Sequence, residues 1–485
     1  MRLNPDFIEI RGMKKKTNST KIIAGFEQKI QELMEKIREV SEVPLKGSAD
    51  GLEDLDLGLQ KLTNELSDYI SAKKLQELLF SEELIQAAVD LIKGLPQKFK
   101  NYGFCETPVR MSNGTVVTVL TPYFARPCHE KKTKKRGKGC YPGLILLGVL
   151  DHCMPRLASD VSMLSAALAS LKEAQNMLVA RGCKLDIKTI RNIVKRYAAR
   201  ARACQENGEF PQDMLLDVAG RRVAISMDGG RIRIRSNKKG PCTKKGRKRF
   251  RTDWREPKLF IIYLLDDKGE MERKFCPVID ASLHGPDSIF ALLEFYLSKM
   301  NIGMAASISF IADGAPWIWE RVCTSLSRVG VKLGRCNFVL DFYHAVEHLS
   351  KLLELKKWPS ADRKSYLKKY RRMLLNGKME PFFEFIESLC RGSRNSEVIR
   401  ERNYFLKNKE KMRYHEFASQ HIPKGSGAVE SAIRRVINLR LKGPGIFWHK
   451  DTANEMLLLR CYYKANRWGL LNKMACSPAI SVVTG

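Results

Sequence analysis

The spacing of apolar residues along the chain changes character twice. Between residues 25 and 98 it is helical: in GFEQKIQELMEKIREV, Phe26, Ile30, Leu33 and Ile37 follow at intervals of four, three and four. Such spacing lines one side of a helix. LQKLTNELSDYISAKKLQELL and EELIQAAVDLIKGL continue the pattern, so residues 1–104 are predicted to be a helical N-terminal region, either a bundle within the chain or a short coiled coil. NGTVVTVLTPYF (113–124) alternates as a strand would and runs into the basic stretch HEKKTKKRGKG (129–139), so residues 105–160 read as a basic linker and an apolar helix.

The segment LASLKEAQNMLVARGCKLDIKTIRNIVKRYAARARA (168–203) predicts one helix ending near Gly182 and a second starting at Asp186, whose carboxylate suits an N-cap. Residues 161–210 therefore read as a helix-turn-helix-like DNA-binding region, with Lys188, Arg191, Lys195 and Arg196 on its second helix. A plain basic helical hairpin carries the same signature.

From residue 221 the period shortens to two. RRVAISMDGGRIRIR reads as one strand, and PKLFIIYLLDDKGEMERKFCPVIDASL as two more joined by a turn at Asp267-Lys268-Gly269. PDSIFALLEFYLSKM is a helix, SISFIAD a strand buried on both faces, GAPWIWERVCTSLSRVG a helix, CNFVLD a strand and FYHAVEHLSKLLEL a helix. A three-strand meander followed by helix, strand, helix, strand, helix predicts an α/β core over residues 220–350. Residues 351–422 are helix-like and basic, and GSGAVESAIRRVINLRLKGPG, within residues 423–485, carries a further helical stripe. KKGPCTKKGRKRFR (238–251) reads as a flexible loop between the first two strands.

Composition adds a partner. The 485 residues carry 85 Lys plus Arg against 53 Asp plus Glu, a formal net charge of +32. An excess of that size points to a polyanion, foremost nucleic acid, with a merely well-solvated basic surface as the alternative. Thirteen cysteines occur without a C-x-x-C pair, which predicts reduced thiols in a cytoplasmic protein. Cys105, Cys128, His129 and Cys140 match no standard zinc spacing. The opening MRLNPDFIEIRGMKKKT has no apolar signal region, and runs such as LILLGVL (144–150) are too short to span a bilayer, so no membrane partner is expected.

Candidate chemistry lies at the strand ends. Asp228 and Asp313 each close a buried strand, and adjacent strand ends in an open α/β sheet meet at one crevice. Two converging carboxylates call for a divalent cation, and oxygen ligation favours Mg²⁺ or Mn²⁺. Gly229 and Gly314 follow the two acids and would leave room for a nucleic-acid backbone. Read singly, each Asp-Gly pair is also an ordinary turn. Glu430, beside the stripe Val429, Ala432, Ile433, Val436 and Ile437, is a third acid; a surface ion pair with Arg434 is its other reading. Arg231, Arg233 and Arg235, with Lys244 and Lys245 in the loop, would neutralise strand phosphates. Trp254, Trp317, Trp319 and Trp448 could stack on bases, although core packing is the usual role of tryptophans so placed.

ISMDGGRIRIR, TDWREPKLFIIYLLD, SFIADGAPWIWE, FVLDFYHAVEHL and GSGAVESAIRRVINLRLKGPG, in that order, resemble the DDE transposases of bacterial insertion sequences, most closely the Kra group and its Azba-like relatives. The resemblance runs from about residue 140 to 465. It implies a ribonuclease-H-like catalytic core, a mixed five-stranded sheet with helices, in which Asp228, Asp313 and Glu430 are catalytic and hold two Mg²⁺ (or Mn²⁺) ions. It also implies that Asp341 and His344 form a supporting D-x-x-H signature ahead of an all-helical insertion, residues 351–422, after which residues 423–485 complete the core. The implied partners are double-stranded DNA, as terminal inverted repeats and target, and further copies of the chain in a homodimer or higher oligomer on DNA. The implied activity is metal-dependent strand cleavage and transfer by a cytoplasmic, nucleoid-associated enzyme. A catalytically idle DNA-binding regulator and another nuclease on the same core are the alternatives. Many relatives carry a cysteine-paired zinc segment near the amino terminus, and this sequence has no such pairs there.

Overall fold

A computed structural model describes residues 5–44, 47–126, 139–207, 210–244 and 246–477. The chain divides into two compact units, Met1–Phe210 with Gly469–Gly485, and Pro211–Trp468.

In the first unit, α1 (Pro5–Glu42) lies along α2 (Ala49–Leu79), followed by α3 (Glu82–Lys93). Phe26 and Leu33 of the predicted stripe are buried, and Ile30 and Ile37 half-buried beside them. Residues 105–125 are not linker. Strands β1 (Lys100–Arg110) and β2 (Val116–Ala125) form an antiparallel hairpin, with the short β3 (Gly139–Cys140) on its edge. The alternation of Val117 and Val119 finds its partner in a strand whose own pattern, KNYGFCETPVR, is too polar to announce itself. Buried polar groups of α2 fix the hairpin. Gln76 donates to the Leu120 carbonyl at 3.0 Å and accepts from its amide at 2.8 Å, while Asp68 accepts from the amides of Asn113 and Thr115 at the turn. Cys128, His129 and most of the basic run lie outside the described residues; every described cysteine is a free thiol.

Helices α4 (Pro142–Leu146), α5 (Pro155–Ala167), α6 (Leu171–Ala180) and α7 (Ile187–Glu206) complete this part of the chain. The turn between α6 and α7 holds Gly182 in the left-handed region, and the Asp186 carboxylate caps α7 by accepting from the Thr189 amide at 2.9 Å. Both features follow the sequence reading.

The second unit is built on a five-stranded mixed sheet. Its strands are β4 (Arg222–Gly229), β7 (Lys258–Leu265), β8 (Val278–Ser282), β9 (Ser307–Ala312) and β10 (Cys336–Leu340), in the order β10-β9-β4-β7-β8. The β4-β7-β8 meander is antiparallel, and β9 and β10 add in parallel. α8 (Pro286–Lys299) connects β8 to β9, and α9 (Pro316–Trp319) with α10 (Val322–Arg328) connects β9 to β10. All eight residues of β7 are buried, which accounts for its unbroken apolar run.

RRVAISMDGGRIRIR is two strands rather than one. The ladder breaks after Gly229, and β5 (Ile232–Asn237) pairs with β6 (Phe250–Arg255) as a separate antiparallel ribbon. The segment expected as a flexible loop forms the ribbon's tip, with Lys238 N–H donating to the Arg249 carbonyl at 2.8 Å and Thr243 N–H to that of Arg247 at 2.8 Å.

After α11 (Phe342–Leu355) come α12 (Ser360–Leu375), α13 (Met379–Cys390), α14 (Ser396–Lys407) and α15 (Tyr414–Ser419), the all-helical insertion. The chain then returns to the sheet as α16 (Gly427–Ile433), continues through a π-helical turn, Arg434–Asn438, into α17 (Leu439–Leu441), and adds α18 (Lys450–Lys464). The whole predicted stripe, Val429, Ala432, Ile433, Val436 and Ile437, is buried. Carbonyls loosened by the π turn are met by buried Arg460 of α18, which donates to those of Arg435 and Val436. The core expected to run to residue 485 stops earlier: from Gly469 on, α19 (Trp468–Cys476) belongs to the first unit. Its Asn472 accepts from the Tyr197 hydroxyl at 3.0 Å, and the Ser477 carbonyl accepts from Arg200 at 2.8 Å. Among the described residues no helix is long and apolar enough to cross a membrane.

Candidate functional site

Parallel pairing puts three aspartates side by side. Met227 is in register with Ala312, and Ala312 with Leu340, across β4, β9 and β10. The next residue on each chain is Asp228, Asp313 and Asp341. Neighbouring strands are about 4.8 Å apart, so three carboxylates leave one edge of the sheet on a common rung. Each is held by local backbone. Asp228 Oδ1 accepts from the Gly229 amide at 2.6 Å, and Asp313 Oδ1 from the Ala315 amide at 3.0 Å. The Trp319 indole N–H donates to the Asp313 carbonyl at 2.7 Å.

Asp341 is fully buried and caps α11, accepting from the His344 amide at 2.8 Å. Its other oxygen accepts from the Ser426 amide, which ties the start of α16 to the end of β10. Ser426 Oγ in turn donates to Glu430 Oε1 at 3.3 Å. This chain of contacts draws Glu430 toward β10. Donor atoms of Asp341, His344 and Glu430 all lie within 4.8 Å of one another, the tight group of possible ligands among the described residues. The grouping expected from sequence, Asp228 with Asp313 and Glu430, is thus not the closest one. Asp341, expected only in support, belongs to the rung itself. Glu430 is exposed and, among the described residues, makes no ion pair with Arg434.

The electrostatics are those of crowded acids. Burial pushes the Asp228 carboxyl up to about 6, with Asp313 and Glu430 adding to the rise and the Gly229 amide and His344 opposing it. Asp313 is also raised, again chiefly by burial, with Asp341 and Glu256 contributing. Burial presses Asp341 in the same direction, but bonds from His344 and Ser426 overcome it and hold the carboxyl at about 2. The Asp341 carboxylate raises His344 to about 9. Its Nδ1 is 3.2 Å from Asp341 Oδ1, an ion-pair distance without hydrogen-bond alignment. Carboxylates of Asp228, Asp313, Asp341 and Glu430 around one imidazole are of the oxygen-donor type that could hold hard divalent cations, but within mutual ligand distance the described residues bring together only Asp341, His344 and Glu430.

The glycines after the acids do not open space for a backbone. A Cβ on Gly229 would strike the Glu256 carboxylate, and one on Gly314 the ring of Tyr404. Gly314 instead lets the insertion close on β9. Tyr404 of α14 stacks on His348 of α11 with ring centroids 3.7 Å apart, and among the described residues its buried hydroxyl has no hydrogen-bond partner. Glu401, one turn earlier, is 1 % exposed and accepts from His348 at 2.5 Å, Lys351 at 3.1 Å and Arg400 at 3.4 Å. Residues 351–422 show no spacing that singles out Tyr404 or Glu401; for Asp341 the available signal is that SMD, IAD and VLD end three strands alike, although only register sets the three acids on one rung.

The predicted phosphate-binding cations differ in availability. Arg231 and Lys244 are exposed, and Lys245 lies outside the described residues. Arg233 donates to the Gly443 carbonyl at 2.6 Å and Arg235 to His449 Nε2 at 3.0 Å, so both also hold the ribbon to the segment before α18. Trp254 is 51 % exposed, with Arg231 and Arg233 at 5.3 and 5.8 Å from its ring centroid. Trp317, Trp319 and Trp448 are partly buried in contacts within the unit. In the first unit, Lys188, Arg191 and Lys195 form an exposed stripe on α7 with no ion pair among the described residues, whereas Arg196 pairs with Asp151 at 2.7 Å.

Neither family models, curated proteins nor solved structures give a match to this chain.

Proposed function

We propose that the chain is a DDE-type insertion-sequence transposase with a ribonuclease-H-like core, cutting element ends and joining them to target DNA. The rung of Asp228, Asp313 and Asp341, with Glu430 brought over it by α16, carries this reading. An antiparallel meander extended by two parallel strands, with a helical insertion before the glutamate, is the arrangement the resemblance implies. The ribbon β5–β6, which leaves the sheet after Gly229, the residue next to Asp228, supports it with a basic arm.

Two divalent cations held there, Mg²⁺ or Mn²⁺, would activate a hydroxyl nucleophile and stabilise the leaving 3′ oxygen during in-line displacement at phosphorus. The protein's part is positioning. Backbone amides fix the Asp228 and Asp313 carboxylates, Asp341 locks the entry to α16, and His344 supplies the facing positive charge. Arg231 and Lys244 are free to meet strand phosphates.

The test is incubation of purified protein with duplexes carrying the DNA that flanks the reading frame, with Mg²⁺, Mn²⁺ or chelator. Divalent-dependent nicks with 3′ hydroxyls, followed by joining to a target plasmid, are expected. Cleavage without joining would make the protein a nuclease on the same core, and binding without cleavage an idle regulator.

For the first unit the expectation is separate. Arg191→Ala should weaken duplex binding and reduce the magnitude of its salt slope, log affinity against log salt, by about 1. An unchanged slope would remove α7 from the DNA-binding surface.

A further inference from the structure

The insertion carries a cationic cleft that the site chemistry does not use. One wall is the outer face of α12, whose inner face buries Tyr370 and Leu374. At its end Gly377 turns in the left-handed region, and the Lys378 amide folds back on the Met373 carbonyl at 3.0 Å. That return sets Lys378 beside Lys368, Lys369 and Arg372 around a cleft of about 470 Å³, with Ser365 and Asn376 also in its lining and no carboxylate. All four cations are exposed, and among the described residues none forms an ion pair. Elsewhere on the insertion exposed cations do find acids, as Arg413 finds Glu416 at 3.1 Å and Arg400 finds Glu397 at 3.6 Å.

Four uncompensated cations one and two turns apart repel one another, which an anion between them relieves. The cleft is open and polar, with hydroxyl and amide donors beside the charges, the chemistry that suits phosphodiester oxygens. The same helix packs on α11, which starts right after Asp341: the Arg371 guanidinium lies 5.7 Å over the ring of Phe342.

We propose that the Lys368–Lys369–Arg372–Lys378 cleft is a second contact for the sugar-phosphate backbone of duplex DNA. It would hold the flank of a duplex whose reacting phosphate lies at the aspartate rung. The proposal rests on the nucleic-acid reading above, but it concerns binding and needs no catalysis.

The test compares Lys368→Ala/Arg372→Ala with Lys332→Ala/Arg335→Ala in the full chain. The second pair is equally exposed, removes the same charge, and lies before β10, away from the strand end that carries Asp341. Anisotropy of a labelled duplex of arbitrary sequence is titrated in chelator across salt concentrations. The cleft pair is expected to reduce the magnitude of the salt slope by about 2, near 0.9 for each lost phosphate contact, and the control pair to leave it within about 0.5. Equal slopes for the two variants, or no duplex binding by the parent, would overturn the assignment. A loss confined to single strands or to inorganic polyphosphate would overturn it as well. A slope change in a protein that never cuts DNA would sustain the cleft while removing the transposase reading, and cutting with unchanged slopes would do the reverse.

Discussion

Asp228→Asn is expected to abolish divalent-dependent strand cleavage, a loss of at least about a thousandfold by analogy with removal of a group that stabilises charge in a transition state, while duplex affinity stays within about twofold of the parent. The asparagine oxygen can still accept from the Gly229 amide, so the strand end keeps its geometry. What disappears is one negative charge of the rung. The same substitution carries a stability signature independent of activity. A carboxyl raised from 3.8 to about 6 by the fold is favoured there in its protonated form. The ionised group therefore weakens the folded state, a penalty that grows as pH rises from 3.8 to about 6 and is constant above. At neutral pH it is on the order of 2–3 kcal/mol. Asp228→Asn should raise Tm in chelator at pH 7 and leave it near the parent's at pH 4. Added Mg²⁺ should raise Tm in the parent more than in the variant. A variant that cuts at the parental rate, or that melts lower than the parent at pH 7, would refute the role of this side chain.

Glu401→Ala is expected to destabilise the second unit by about 2–3 kcal/mol, below the 3–5 typical of breaking a fully buried pair because its partners reach solvent. Glu401 is buried while His348, Lys351 and Arg400 are 36, 46 and 61 % exposed. Burial alone would raise this glutamate, but the bonds from His348 and Lys351 prevail and hold it below its ordinary value. An acid depressed in the fold contributes stability that is present above its unfolded value and lost as pH falls through the depressed one. The parent should therefore lose stability across the acid limb, below the ordinary glutamate range, more steeply than Glu401→Ala. Denaturant unfolding at several pH values measures both; parallel acid limbs would mean that the cluster contributes nothing. Because His348 orients Tyr404, and Tyr404 covers Gly314, the variant should also lose cleavage more than duplex affinity.

The elements were legible where burial imposes a period. Val429 to Ile437 announced a helix, and FIIYLL and SFIA announced strands covered on both faces, because one pattern of contacts explains every residue. β1 and the ribbon were misread for the opposite reason: their residues alternate in and out only relative to partners far along the chain. Asp228 and Asp313 stand out in the sequence because an acid ending an apolar run is conspicuous. Asp341 ends such a run too, and its place on the rung follows from strand register, which no local spacing encodes. Glu430 stands out in the sequence only as an acid beside an apolar stripe, and the Asp341–Ser426 bond that steers it toward His344 is a tertiary contact. Tyr404 and Glu401 matter only through what the insertion folds against.

The return of residues 469–477 to the first unit has a consequence for biosynthesis. The amino-terminal portion emerges from the ribosome more than 250 residues before the helix that supplies partners for Tyr197 and Arg200. The nascent chain must hold that gap open, or fill it provisionally, until the second unit has been translated.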